Sequence, residues 1–142
     1  MPVDSASADA WSSLFRSLKE LRTAWPSRGW SWDKRLSCIT SSFNDEVEAN
    51  ARIAASVAFP TEWTSTTLQK APPVVREIVE RAGGIRQGQR VLSTAVVGTA
   101  FVYCLWWPWG DGMTTSVRIG LGSANPSQEA LQRLRDSFGV EL

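Results

Sequence analysis

The stretch Trp106-Trp107-Pro108-Trp109-Gly110-Asp111-Gly112 is the chain's densest group of side chains able to bind something. Indole joins a large apolar area to one N–H donor and is enriched at binding hot spots. Adjacent Trp106 and Trp107 point to opposite faces if both lie in a strand, so one enters the core while the other stays near the surface and joins Trp109. Two or three rings beside Asp111 suit a cage for a cationic group or a platform for a sugar ring. The competing expectation is structural: the rings close the rim of the core, and the Asp-Gly pair makes a turn. A second pair, Trp30 and Trp32, follows the turn-rich Pro26-Ser27-Arg28-Gly29, and Trp-x-Trp spacing puts both rings on one side of an extended segment. Arg28 and Arg118 are the arginines expected beside these rings, a residue type that stacks and makes bidentate bonds at interfaces.

Catalytic chemistry has little to work with. The chain has no histidine, which removes the commonest general base, the Ser-His and Cys-His nucleophile systems and nearly all zinc sites. Asp45, Glu46 and Glu48 are close in sequence, and Glu77 and Glu80 share a helix side beside Arg76 and Arg81, as surface pairs do. Carboxylates that catalyse need a shared pocket and separated pKa values, which no spacing reveals. The turn Gly120-Leu121-Gly122-Ser123-Ala124-Asn125-Pro126 half matches a dinucleotide fingerprint. However, Asn125 replaces the third glycine, and the 17 residues after it leave no room for a returning strand. It is expected to be a plain strand-to-helix turn. The sequence therefore predicts no enzyme, no cofactor and no metal.

Charge and cysteine usage narrow the partners. Fifteen basic against fourteen acidic residues, a net +1, give no concentrated basic face for nucleic acid. The nearest candidate, Lys70, Arg76, Arg81, Arg86 and Arg90, is interrupted by Glu77 and Glu80 and reads as a solvated helix face. Cys38 and Cys104 stand 66 positions apart without CxxC spacing. With no secretory signal in view, they are expected as buried thiols in a cytoplasmic protein. Val91–Gly110 is twenty residues without a formal charge, long enough to cross a bilayer. Its central Ser93, Thr94, Gly98 and Thr99, its β-branched content and Pro108 favour two buried strands over a membrane span.

The elements that must position these residues read as a single α+β domain over 10–142 after a flexible lead-in at 1–9. Trp11, Leu14, Phe15, Leu18, Leu21 and Trp25 fall on one helical face, with Asp9 to cap the start and Pro26 to end it. A second helix is expected over Asn44–Ala58, with Val47, Ala51, Ala54 and Ala58 inward. Pro60–Trp63 opens a short turn or helix reaching Lys70, and a third helix covers Val74–Ala82, stopped by Gly83. Strands are expected over Gln89–Val96, Ala100–Trp107 and Met113–Leu121. The last strand alternates, and the middle one is apolar on both faces. Asn125 and Pro126 begin a final helix with Ala130, Leu131, Leu134 and Phe138 inward. The predicted architecture is N-terminal helices packed on a small three-stranded antiparallel meander, followed by a C-terminal helix.

The function this points to is a non-catalytic cytoplasmic module that binds another protein through its tryptophan-rich loop surface. Adaptors, chaperone-like proteins and toxin-neutralising proteins fit that description equally. A small-molecule site with a tryptophan-lined pocket is the alternative, and a membrane anchor through residues 91–110 a further one. Oligomeric state is not written in the pattern.

Overall fold

The computed structural model describes residues 2–26, 29–94, 101–122 and 127–140, and of residues 2–10 the backbone alone. In chain order these form helix α1 (Pro2–Ala24), strands β1 (Ser31–Asp33) and β2 (Cys38–Asn44), helix α2 (Glu48–Ala58), strand β3 (Thr61–Trp63) and helix α3 (Pro73–Arg81). Strands β4 (Arg90–Ser93), β5 (Val102–Pro108) and β6 (Thr114–Leu121) and helix α4 (Gln128–Ser137) complete the order. Short 3-10 turns at Asp45–Val47 and Leu68–Lys70 precede α2 and α3.

The strands make one antiparallel sheet in the order β1-β2-β6-β5-β4-β3. The expected meander is present as β4-β5-β6, but it is the centre of a six-stranded sheet rather than a three-stranded whole. Strand β2 joins along β6 from Ile39↔Ile119 to Asn44↔Thr114. The segment CITSSFN hides this in sequence, because Ser41 stands between its inward residues Ile39 and Phe43. Pro60–Trp63 is likewise corrected: Thr61–Trp63 is the edge strand β3, and its backbone pairs with β4 instead of starting a helix. The apolar stretch once open to a membrane reading contains β4 and β5, which pair from Arg90↔Trp106 to Ser93↔Tyr103. Residues 95–100 lie outside the described residues, and no described helix is long and apolar enough to cross a membrane.

Two cores follow from β5 being apolar on both faces. On one face Val102, Cys104 and Trp106 join Ile39, Phe43, Val117, Ile119 and Leu121 beneath α1, α2 and α4. Helix α1 contributes Phe15, Leu18 and Leu21, with Trp25 just past its end. Helix α2 contributes Ala51, Ala54, Ala55 and Ala58, and α4 contributes Leu131 and Leu134. The alanines let α2 lie close to the sheet, and Val57 at its margin is exposed. Trp25 sits at the centre of an aromatic group, 5.1 Å from Trp30, 5.5 Å from Phe43 and 6.4 Å from Trp106. On the opposite face Leu105 meets Val75, Ile78 and Val79 of α3, together with Val91 and Phe101.

Cap chemistry departs from the expected pattern in two places. Helix α1 begins at Pro2, so Asp9 lies inside it rather than at its cap. Helix α4 is capped by Ser127, whose hydroxyl accepts from the Ala130 N–H, and Asn125 lies outside the described residues. The second helix starts at Glu48 rather than Asn44, and the 3-10 turn before it is capped by the Asn44 side chain, which accepts from the Glu46 N–H. Glu62 Oε1 then ties α2 to the far edge of the sheet, accepting from Arg52 at 3.2 Å and Arg90 at 3.1 Å.

Close packing of aromatic rings over β6 requires glycine. A Cβ at Gly122 would overlap the Phe101 ring, and one at Gly120 would overlap Tyr103, its cross-strand partner. Gly122→Ala should therefore destabilise by about 1–3 kcal/mol through overpacking, read as a lower urea midpoint at unchanged slope. Ser41 presents the opposite case: its hydroxyl is buried on the main core face without a hydrogen-bond partner. Ser41→Ala should raise stability by about 1 kcal/mol, seen as a thermal midpoint a few degrees higher. A lower midpoint would mean the hydroxyl is satisfied after all.

Candidate functional site

Helices cover the two sheet faces unequally. Among the described residues, three helices lie on the Trp106 face, whereas α3 alone lies on the other and packs on the β4–β5 side. The remaining half, formed by β5, β6 and β2, is the floor of a groove of about 550 Å³. One wall is the end of α3, with Ile78, Arg81 and Ala82. The other is the β1–β2 loop, with Arg35 and Leu36. Cys38, Tyr103, Leu105, Trp107, Ser116 and Arg118 line the floor.

Asp33 builds the loop wall. Its Oδ1 accepts from the Leu36 N–H at 3.0 Å, closing the loop, and its Oδ2 accepts from Arg118 Nη1 at 3.1 Å. Ser37 takes a positive φ of 52° to return the chain to β2. The Leu36 N–H above all, helped by the Arg35 N–H and the Arg118 and Arg35 charges, holds the Asp33 carboxyl below the usual carboxylate range against the opposing effect of desolvation. A carboxyl with a depressed folded pKa stabilises above its unfolded value near 3.9, and that contribution is lost as pH falls through the folded value. At neutral pH the clamp is therefore fully formed. Its energetic weight is modest, about 0–1 kcal/mol, because Arg118 is more than a third exposed.

Charge in the groove is one-sided. Among the described residues the ion pairs are Arg52–Glu62, Arg90–Glu62 and Arg118–Asp33. Arg35 and Arg81 form none, and both are exposed. Burial pushes the Cys38 thiol up to about 11, with the Asp33 charge adding to the rise and Arg118 opposing it. Burial likewise raises Tyr103, with Cys38 adding and Arg81 and Arg118 opposing. The groove thus presents fixed positive charge and neutral hydroxyl and thiol groups, with no acid–base pair poised near neutral pH.

The tryptophans expected to act together divide between the faces. Trp106 is 2% exposed and lies in the main core, 5.1 Å from Phe43, with Arg52 over its ring at 5.8 Å. Trp30 lies tilted against Trp25 and Phe138, and Trp32 lies under the Arg135 guanidinium at 4.8 Å. Both belong to that same core face, as their spacing predicted, and neither joins the groove. Trp107 is half-buried in the groove floor. Trp109 continues its row: the Trp109 N–H donates to the Thr114 carbonyl at 2.7 Å, carrying the β5–β6 pairing one step past Pro108↔Thr115. Alternation then places Trp109 on the Trp107 face, and its side chain is 53% exposed.

Asp111 organises the hairpin tip. Its Oδ1 accepts from the Met113 and Thr114 N–H groups and its Oδ2 from the Thr114 hydroxyl, each at 2.9 Å. The Met113 N–H, then the Thr114 hydroxyl and N–H, lower its pKa. All this is turn chemistry, and Gly112 at φ 71° completes it. Of the expected surface, Trp107 and Arg118 come together in the groove, and Trp109 is exposed just past the end of β5. Arg28 lies outside the described residues.

Arg35, Leu36, Cys38, Tyr103 and Arg81 are groove residues the spacing did not single out. Arg81 was visible only as one member of a mixed-charge helix face. The alternation Cys38-Thr40-Ser42 against Ile39-Ser41-Phe43 was the signal that β2 carried. No known family model, curated protein or solved structure matches the chain.

Both cysteines are free and buried. With Cys38 pushed up to about 11, about one thiol in a thousand is ionised at pH 8, and only the thiolate is nucleophilic. Burial raises Cys104 too. Iodoacetamide should leave both unmodified in the native protein at pH 8 and label both in 8 M urea, as read by intact mass. Rapid labelling of the native chain would contradict the burial of both thiols.

Proposed function

We propose that the protein is a non-catalytic module that binds another protein through the uncovered half of its sheet and the hairpin tip beside it. The observation that carries this reading is the row Leu105-Trp107-Trp109, which runs from the groove floor to an exposed indole on one sheet face. A solvent-exposed indole next to an uncovered, partly apolar concavity is the residue type and setting of a binding hot spot. Met113, also exposed at the tip, widens the apolar area. The groove's fixed charge states favour recognition over acid–base catalysis. Two free thiols fit residence in the reducing cytoplasm.

The groove volume, about 550 Å³, also lies within the range of small-molecule pockets, roughly 300–1,000 Å³. That is the second reading, and it locates binding at Trp107 without a role for Trp109.

Panning a phage-displayed random dodecapeptide library on the immobilised full chain separates the two. The protein-binding reading predicts a convergent set of peptides whose affinity falls at least tenfold on Trp109→Ala, with the circular dichroism spectrum unchanged. Failure to recover any convergent peptide, or equal affinity for Trp109→Ala, overturns it.

A further inference from the structure

We propose that the groove takes an acidic segment of its partner protein, with carboxylates on Arg35, Arg81 and Arg118 and an apolar side chain against Trp107. This rests on the protein-binding reading above and gives the chemistry of the partner. The three arginines come from separate elements, the β1–β2 loop, the end of α3 and β6, and only the fold gathers them around one concavity. The chain as a whole is nearly neutral, at net +1, so this concentration is local.

Asp33, beside the groove, is already engaged by Arg118 and by the loop amides. Among the described residues Arg35 and Arg81 form no ion pair. Arg35 shares the field of Asp33 with Arg118, so three guanidinium groups face one carboxylate at this half-apolar groove, and an incoming anion offsets the excess positive charge. Guanidinium matches a carboxylate with two parallel N–H bonds, so it orients the segment as well as attracting it. The apolar floor of Leu105 and Trp107 supplies the contact that free anions lack. Strand addition is a poorer route, because both sheet edges, β1 and β3, are only three residues long.

The test uses the same dodecapeptide library panned in parallel on the wild-type chain and on the double variant Arg35→Gln/Arg81→Gln. Both arginines are exposed, so the variant should fold. Wild-type selections should be enriched in Asp and Glu around one aromatic or large aliphatic residue, and selections on the variant should lose that enrichment. The best synthetic peptide should weaken at least tenfold on the variant, when its acids become Asn and Gln, and between 50 and 500 mM NaCl. Convergent peptides that depend on Trp109 but show no acid preference would overturn the acidic-segment proposal while leaving the binding reading intact. Acidic peptides that bind the variant as tightly as wild type would overturn it as well. A twelve-residue oligothymidylate bound more tightly than the best peptide would assign the charge to nucleic acid instead. No convergent peptide from either panning would remove the binding reading itself.

Discussion

The structure depends on one strand that is buried from both sides. Strand β5 sends Val102, Cys104 and Trp106 into one core and Tyr103, Leu105 and Trp107 toward the other face. Trp106 is the key residue of the first set. Its ring meets Phe43 from β2 and Trp25 from the end of α1, so it joins an outer strand and the N-terminal helix to the sheet centre. Removing a buried ring of this size from a core typically costs about 3–5 kcal/mol, a large share of a small domain's stability. The Arg52 guanidinium lies over the same ring and bonds Glu62 on β3. Trp106 thereby also fixes where α2 crosses the sheet.

An antiparallel sheet can leave part of a face to solvent, and among the described residues helices cover one face of this sheet fully and the other in part. Helices α1, α2 and α4 close the Trp106 face, and α3 closes the β4–β5 side of the other. What remains open is polar where it meets solvent, with Thr40, Ser42, Ser116 and Arg118 on β2 and β6. Where it meets α3 it is apolar and aromatic. The groove is therefore a product of incomplete coverage, and its composition follows from which strand residues alternate onto that face. Asp33 completes it by holding Arg118 and shaping the loop with one carboxylate.

Several elements were legible from pattern alone because a single local rule decided each. The α1 stripe, the helical face Val75-Ile78-Val79, the alternation along β6 and the two-sided apolarity of β5 all appear where periodicity placed them. Trp30 and Trp32 share a face as Trp-x-Trp spacing requires, and Trp106 and Trp107 part as neighbours in a strand must. Strands β1, β2 and β3 were not legible. Two of them are three residues long, and β2 places Ser41 at a buried position where pattern reading looks for an apolar side chain. Strands β2 and β3 exist through backbone pairing to β6 and β4, long-range interactions that leave little trace in side-chain type, and β1 pairs in turn with β2.

The amino-acid sequence by itself determined the chemistry on offer: no histidine, eight tryptophans, arginine as the dominant cation and two separated cysteines. It also determined that Trp106 and Trp107 would face opposite ways. Only the tertiary structure decided which of them went inward and what the other would meet. That choice depends on which face three helices cover, and on the sheet order that brings residues 35, 81 and 118 around Trp107. Side-chain type is a local property and can be read along the chain. Coverage and convergence are properties of elements far apart in sequence, so they exist only once the sheet has formed.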